Sequence, residues 1–253
     1  MSAELLNIVI PMAGYGSRFA KAGYDLPKPL LPVHGRPMIE VVIENLRPSC
    51  PHRFIFICQN EQISRHGVDR NLLRISPTAE IIGIDGVTEG AACTVLLAER
   101  FIDSEAPLMI ANCDQYVALA IDDYLGAMEV GGYDGFIMTM MADDPKWSFV
   151  RLNDAGKVTE VVEKRVVSRE ATVGIYNYRH GHDFVVASKT MIEADDRVNG
   201  EFYVAPAYNY MIGNGQRIGF MNIGSDRDGM YGLGVPEDLE FFNALPEMPR
   251  PCR

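Results

Sequence analysis

The chain has 253 residues, enough for one large domain or two small ones around a sizeable core. Its 47% hydrophobic and 23% charged content is that of an ordinary soluble globular protein, and a net charge of −11 excludes the basic face of a general nucleic-acid binder. A negative balance leaves room for a phosphate-bearing small molecule, which a few local cations and a metal can hold. The segment Met1 to Gly14 lacks a basic n-region, and no run of eighteen apolar residues occurs. No signal peptide or membrane partner is therefore expected. Five cysteines (Cys50, Cys58, Cys93, Cys113, Cys252) show no C-x-x-C pairing. Cys58 and Cys93 lie in apolar runs, where buried free thiols and a reducing cytoplasm are expected.

Taken in order, the apolar run Leu5, Leu6, Ile8, Val9, Ile10 predicts a buried strand that stops at Ala13-Gly14-Tyr15-Gly16-Ser17-Arg18. A strand ending in such a small-residue loop leaves several backbone N–H groups pointing one way, a nest suited to phosphate oxygens. Arg18 and Lys28 add two cations, and Pro27 and Pro29 stiffen the chain around Lys28. The dinucleotide fingerprint G-x-G-x-x-G fails at Phe19, and the P-loop pattern is absent. The loop reads as a holder for the phosphates of a nucleoside triphosphate.

Apolar residues at 38, 39, 42, 43 and 46 have helical spacing, with Pro37 in the first turn. Arg53 to Cys58 and Glu80 to Ile84 read as strands, and Ala91 to Phe101 as a helix opened by Thr88-Glu89-Gly90. Pro107 to Ala111 is a short buried strand ending at Asn112-Cys113-Asp114-Gln115; a helix near 121–128 and a strand near 135–140 follow. Beyond Met141, Phe149 to Leu152 and Val158 to Val162 flank Asn153-Asp154-Ala155-Gly156 as a hairpin. Thr172 to Tyr178 and Arg217 to Ile223 read as strands; His182 to Glu193, Val204 to Ile212 and a short segment opened by Pro236 read as helices. The proline-rich tail from Pro246 to Pro251 resists regular structure.

This β-α-β-α rhythm predicts an α/β fold with a mostly parallel sheet and helices on both faces. Ligands bind such sheets at the carboxyl ends of strands, so Ile10, Cys58 and Ala111 are the ends to watch. Asp114, just past one of them, is placed to hold Mg²⁺. Gln59 and Thr88 to Ala92 are candidates for reading a base, since glycine lets backbone approach a flat ring. No internal repeat or linker interrupts the chain, so residues 1–253 read as one domain.

The spacing G-x-G-x-R, about ten residues, then P-K-P-L, together with the strand-end aspartate of Ala111-Asn112-Cys113-Asp114, resembles the signature of the sugar-phosphate nucleotidyltransferases, or pyrophosphorylases. The resemblance implies a Rossmann-like three-layer αβα sandwich with a mixed, mostly parallel sheet. It also implies Mg²⁺-dependent joining of a nucleoside triphosphate to a small phosphorylated acceptor with release of pyrophosphate. The nucleotide-binding half would be about 1–140 and the acceptor-binding half about 141–245. Arg18 would face the pyrophosphate, Lys28 the reacting phosphate and Asp114 the metal. Ala13, Gly14, Tyr15, Gly16, Ser17, Gln59, Glu89, Gly90 and Asn112 would border the nucleotide. Lys164 would grip the acceptor phosphate, Gly174 leave it room, and Glu201 contact its hydroxyls.

One departure stands out. The family often carries W-x-D-x-G before the last helix, with a second metal aspartate; here Gly232 occupies the aspartate position. Either Asp226 or Asp228 substitutes, or the metal leans on Asp114 and phosphates. The chain looks most like a branch associated with capsule and surface-polysaccharide precursors, within which cytidylyltransferases acting on phosphoglutamine and similar non-sugar phosphates fall. A homo-oligomer is compatible with all of this. Two other readings stay open. A glycosyltransferase of similar fold usually shows Asp-x-Asp, whose second acid is missing at Tyr116. A non-catalytic nucleotide-binding protein is compatible with Gly232.

Overall fold

The structure, a computed structural model, describes residues 4–249; Cys252 and the Arg250–Pro251 end of the tail lie outside the described residues. In chain order the elements are β1 (Leu6–Pro11), α1 (Ser17–Lys21), a 3-10 turn (Lys28–Leu30), β2 (Pro32–Val33), β3 (Arg36–Pro37), α2 (Met38–Asn45), β4 (His52–Gln59), α3 (Asn60–His66), α4 (Val68–Ile75) and β5 (Glu80–Ile84). Next come α5 (Ala91–Leu96), α6 (Glu99–Ile102), β6 (Leu108–Ala111), β7 (Gln115–Val117), α7 (Ile121–Gly131), β8 (Gly135–Met141), β9 (Ser148–Leu152) and β10 (Val158–Glu163). The chain continues with β11 (Glu170–Tyr178), α8 (Gly181–Glu193), α9 (Ala207–Gly213), β12 (Ile218–Asp226), β13 (Gly229–Gly232) and α10 (Pro236–Asn243).

The main sheet runs β5-β4-β1-β6-β11-β8-β12-β13-β7, with the β9–β10 hairpin attached to β11 through β9. Its first four strands are parallel, as are β8, β12 and β13. Antiparallel pairing occurs at β6–β11, β11–β8 and β13–β7. The result is the expected mixed, mostly parallel sheet.

Alternation along each strand feeds two cores, one on either face. Ile8, Ile10, Phe54 and Phe56 pack with α2 on one side; Val9, Ile55 and Ile57 pack with α8 and α9 on the other. A strand buried on both faces must be apolar throughout, which is why these segments read as continuous runs.

Four local differences from the sequence reading have physical causes. Pro37 is not in the first turn of α2; it keeps an extended ψ of 134° as the residue before it and pairs with Pro32. The helix expected over 91–101 divides into α5 and α6, because Leu97 and Ala98 donate to Thr94 and Val95, three residues back, and tighten the backbone there. The helix expected from Val204 begins at Ala207, behind Pro206, whose ring fixes φ at −63°. Helices α3 and α4 were not anticipated; they meet at Gly67, which takes the left-handed conformation (φ 61°) as cap of both.

Candidate active site

The carboxyl ends of β1, β4 and β6 converge as expected, and the chemistry gathers on the loops they feed. Gly16 adopts φ 61° and starts α1, and a Cβ there would sit 3.3 Å from Lys28 Cβ. The glycine lets the phosphate-type loop fold back against Lys28. Lys28 begins the 3-10 turn, and its Nζ donates to Asp114 Oδ2 at 2.7 Å across 86 residues of sequence. Burial alone would lower the Lys28 pKa, but the Asp114 carboxylate overrides it and pushes the ammonium up, so the lysine stays charged.

Two cavities lie in this region, the first of them bordered by Lys28. One, of about 340 Å³, is bordered by Ala13, Gly14, Lys28, Thr88, Gly90 and Cys113. The other, of about 300 Å³, is bordered by Asn112, Lys146, Glu163, Lys164, Gly174 and Tyr203. Ala91 borders both, and the consecutive residues Asn112 and Cys113 fall one to each.

In the first cavity the expected residues divide. Ala13 and Gly14 line it, while Tyr15, Gly16 and Gln59 border a separate cavity of about 200 Å³ that shares Lys28. Gln59 is buried, and its Nε2 donates to the carbonyls of Ala13 and Gly86. Both amide hydrogens therefore brace the loop, leaving only Oε1 to accept from a ligand. Ser17 and Arg18 are exposed at the start of α1.

Gly90 borders the cavity, but its glycine identity has another cause. A Cβ at Gly90 would lie 2.3 Å from the Phe202 carbonyl oxygen. The Phe202 N–H donates to Glu89 O and the Ala92 N–H to Phe202 O, which clamps the 199–203 segment onto the start of α5. The Glu89 carboxylate meets Arg197 at 2.6 Å, an exposed pairing that engages it with protein instead of the cavity. Glu201, expected at the acceptor, borders the first cavity beside Lys28 and Thr88.

The second cavity is built on an irregular stretch of β11. The pairing with β8 shifts register between Thr172 and Tyr176, and Gly174 takes φ 82° within it. A Cβ on Gly174 would fall 2.1 Å from Asn112 Nδ2 and 2.8 Å from Gln115 Oε1, so the glycine makes room for two amides. Lys164 has φ 53°, donates its Nζ to Tyr203 Oη and lies over that ring, 4.5 Å from the centroid. Glu163 accepts from the Ser148 hydroxyl; burial raises its carboxyl pKa, with Ser148 opposing.

Of this region's residues, Glu163 entered the sequence reading only as part of the Glu163-Lys164 pair, and Gln115 beside Asp114 was given no role. Gln115 is 3% exposed, and its Nε2 has no hydrogen-bond partner. An unpaired buried donor is costly unless a ligand completes it. The signal available in the sequence was only a polar residue inside a short apolar strand.

For the metal, the carboxylate opposite Asp114 is absent. The returning backbone binds it instead: the Leu233 N–H donates to Asp114 O, and a Cβ on Gly234 would lie 2.7 Å from Asp114 Oδ2. Asp226 ends β12, paired with Met230, and Asp228 stays in the turn to β13, where the Ser225 N–H donates to Asp228 O. The space in front of Gly232 holds Asp238 Oδ2, 3.2 Å from a Cβ placed there, with Oδ1 paired to Arg227. Among the described residues no group of three or more His, Cys, Asp or Glu side chains comes together to hold an ion. Asp114 is a hard oxygen donor that fits Mg²⁺, an ion often held by one or two carboxylates with waters and substrate phosphates.

Known proteins share this fold. The chain spans under half the length of the bifunctional protein GlmU relatives it matches: it is 30% identical over 168 residues to that of Paraburkholderia phymatum, covering 65% of this chain and 35% of the relative. With the Cupriavidus necator protein it shares 26% over 219 residues, covering 83% and 45%. Among solved structures it superposes on a nucleoside-diphosphate-sugar pyrophosphorylase of Vibrio cholerae RC9 with TM-score 0.79 and 27% identity, covering 93% of this chain and 99% of the other. A Bacillus anthracis chain assigned as a glucose-1-phosphate thymidylyltransferase has the same fold (TM-score 0.75, 20% identity, covering 98% and 96%). The family profile described as nucleotidyl transferase matches residues 8–207, which carry β1, the Lys28–Asp114 pair and both cavities, and the chain belongs to that family.

Proposed function

We propose that the chain joins a nucleoside triphosphate, CTP or dTTP favoured, to a sugar 1-phosphate or other small phosphorylated acceptor and releases pyrophosphate. The observation that carries this reading is a pair of neighbouring cavities that share Ala91 and take Cys113 and Asn112 one to each, with Lys28, the partner of Asp114, bordering the first. Such a junction suits an in-line attack. An oxygen of the acceptor phosphate bonds to the α-phosphorus, the bond to the bridging oxygen breaks, and pyrophosphate leaves with the electron pair. The attacking phosphate is already ionised, so no protein nucleophile is needed. The protein supplies position and positive charge.

The first cavity would take the triphosphate, with Ala13 and Gly14 along it and Arg18 reaching the leaving pyrophosphate. Lys28 would neutralise charge at the α-phosphate. Asp114 would hold Mg²⁺, which supplies Lewis-acid stabilisation of the phosphate oxygens. The second cavity would take the acceptor, its phosphate on Lys164 and its body over Gly174. Residues up to about 140 thus make the nucleotide half and those to about 245 the acceptor half, with Glu201 crossing to the nucleotide side. The resemblance to the surface-polysaccharide branch favours a pyrimidine nucleotide and a role in supplying activated precursors for surface polysaccharide. Among the described residues no helix is long and apolar enough to cross a membrane, and four cysteines are free thiols, which supports the cytoplasm as its place.

Calorimetric titration with CTP, dTTP, UTP, GTP and ATP, each with and without Mg²⁺, tests the first half of the reading. Preference for one triphosphate, followed by Mg²⁺-dependent pyrophosphate release with a phosphorylated acceptor, is the expected result. Binding without turnover across a panel of acceptors would make the chain a non-catalytic nucleotide binder. Absence of binding would overturn the assignment of the loop from Ala13 to Lys28.

A further inference from the structure

Ser148 on β9 and Glu163 on β10 are register partners across the hairpin, and both border the second cavity. The Ser148 hydroxyl donates to Glu163 Oε2. Ser148 is buried and has one proton to give, and an ionised carboxylate only accepts, so the direction of this bond is fixed. The lone pairs of Ser148 lie beside the phenol of Tyr176, whose Oη meets Thr172 Oγ1 at 3.0 Å. Thr172 and Tyr176 are buried and bracket the register shift in β11. Burial pushes the Tyr176 phenol up, so it stays neutral and keeps a proton to donate. Three hydroxyls thus form a row that ends on one carboxylate oxygen.

The other oxygen is free. Glu163 Oε1 has no hydrogen-bond partner among the described residues and, unlike Gln115 Nε2, is not closed off from solvent. The charges around it are engaged elsewhere or repel it. Lys164 Nζ donates to Tyr203 Oη, Lys146 Nζ stands 3.5 Å from Asp144 Oδ2, and Glu201 is a like charge that adds to the upward push of burial on the Glu163 carboxyl. Ser148 and Lys164 work against that push. A carboxylate with one oxygen tied to protein and one open to a cavity aims wherever the tied oxygen lets it. Resting on the reading of the second cavity as the acceptor's place, we propose that Ser148, backed by Tyr176 and Thr172, is a positioning residue that holds Glu163 so that Oε1 accepts a hydroxyl or N–H of the acceptor.

Two measurements test this. Carbon NMR of the Glu163 carboxyl in the free chain, assigned by its loss in Glu163→Gln, should show titration at higher pH in Ser148→Ala than in the wild type, and near the wild-type position in Ser148→Thr, which keeps the hydroxyl. Turnover should follow, measured as kcat/KM against pH for glucose 1-phosphate or whichever phosphorylated acceptor reacts fastest. As pH drops and Glu163 takes up its proton, kcat/KM falls; in Ser148→Ala that fall should begin at higher pH, with a loss of about tenfold at the acid end and less at the alkaline end. The acceptor's own phosphate titrates alike in every variant, so the displacement belongs to the protein. The nucleotide KM should stay near wild type. Tyr176→Phe should move the titration the same way by less, and it carries the test where Ser148→Ala fails to fold. A titration that Ser148→Ala leaves in place, an equal loss at every pH, or no rescue by Ser148→Thr would overturn the proposal. The titration is read without substrate, so a moved titration in a chain that turns over no phosphorylated acceptor would count against the reaction alone and support the hold of Ser148 on Glu163.

Discussion

Lys28 Nζ and Asp114 Oδ2 stand 2.7 Å apart, joining the turn after the glycine loop to the end of β6, with the two side chains 20% and 24% exposed. Each is the other's partner in the free protein. A metal-bound triphosphate would offer Lys28 new anions and Asp114 a new cation, so the pair is poised to be exchanged for substrate contacts. Position 232 is glycine, Asp238 is turned to Arg227, and among the described residues no three metal-ligating side chains gather, so little holds an ion at Asp114 firmly before substrate arrives.

This arrangement makes a first prediction. Replacing Lys28 with Ala should lower turnover by about 10²–10³-fold, the scale seen when one charge-stabilising donor is lost, with the circular dichroism spectrum unchanged. Replacing Asp114 with Asn should remove the dependence of turnover on Mg²⁺. Free wild-type protein should bind Mn²⁺ only weakly by electron paramagnetic resonance, and Lys28→Met, which releases Asp114, should tighten it. Strong Mn²⁺ binding by the wild-type chain without nucleotide would contradict the single-carboxylate site.

The glycines at 90 and 174 make a second prediction because their constraints differ. At Gly90 (φ 142°) an added Cβ meets Phe202 backbone, which cannot give way cheaply. Gly90→Ala should cost stability on the order of 1–3 kcal/mol or more, read as a drop in denaturation midpoint. At Gly174 (φ 82°) the Cβ meets the amides of Asn112 and Gln115. Gly174→Ala should also destabilise, and in addition raise the acceptor KM relative to the nucleotide KM. Equal effects on both KM values would mean that the bulge in β11 does not serve the acceptor.

The central strands were legible in the sequence because burial on both faces demands unbroken apolar runs, as in Ile8–Ile10 and Phe54–Cys58. What could not be read were elements made by partners distant in sequence. β7 has three residues and β13 four, too few to show a period, and they exist because they pair with each other across more than a hundred residues. The loop residues Ala13 and Gly14 and the acid Asp114 could be singled out as candidates because glycine spacing and a strand-end carboxylate are local signals. The pairing of Glu89 with Arg197 and the position of Glu201 depend on how the 195–203 segment folds back onto α5, and the bracing by Gln59 on how the loops after β1 and β5 come together; no local pattern encodes either.

Glu201 and Lys164 supply a third prediction by their separation into two cavities. Lys164→Ala should raise the acceptor KM while leaving nucleotide binding near the wild-type value, because its ammonium lies beside Tyr203 in the second cavity. Glu201→Ala should instead alter nucleotide affinity, since its residue borders the first cavity with Lys28. Titration calorimetry with the preferred triphosphate separates the two; a selective nucleotide effect in Lys164→Ala would reverse the assignment.

Glu163 gives a prediction in pH. Burial raises its carboxyl pKa above the ordinary 4.5, with the Ser148 hydrogen bond and Lys164 only partly opposing. The folded chain therefore keeps this proton to higher pH than the unfolded chain does. In the interval between the two values the native state binds more protons, so stability falls as pH rises through it and the cost persists above. Glu163→Gln removes the charge while keeping an oxygen for the Ser148 hydroxyl. Its melting temperature should exceed that of the wild type at pH 8, and the gain should shrink as pH drops through the raised value, vanishing near pH ~4, where the wild-type carboxyl is protonated in both states. The same substitution should weaken an acceptor that donates hydrogen bonds to this carboxylate, so a more stable protein with a higher acceptor KM is expected. Thermal melts from pH 4 to 8 check the first part; a gain independent of pH would show that packing, not the buried charge, sets the difference.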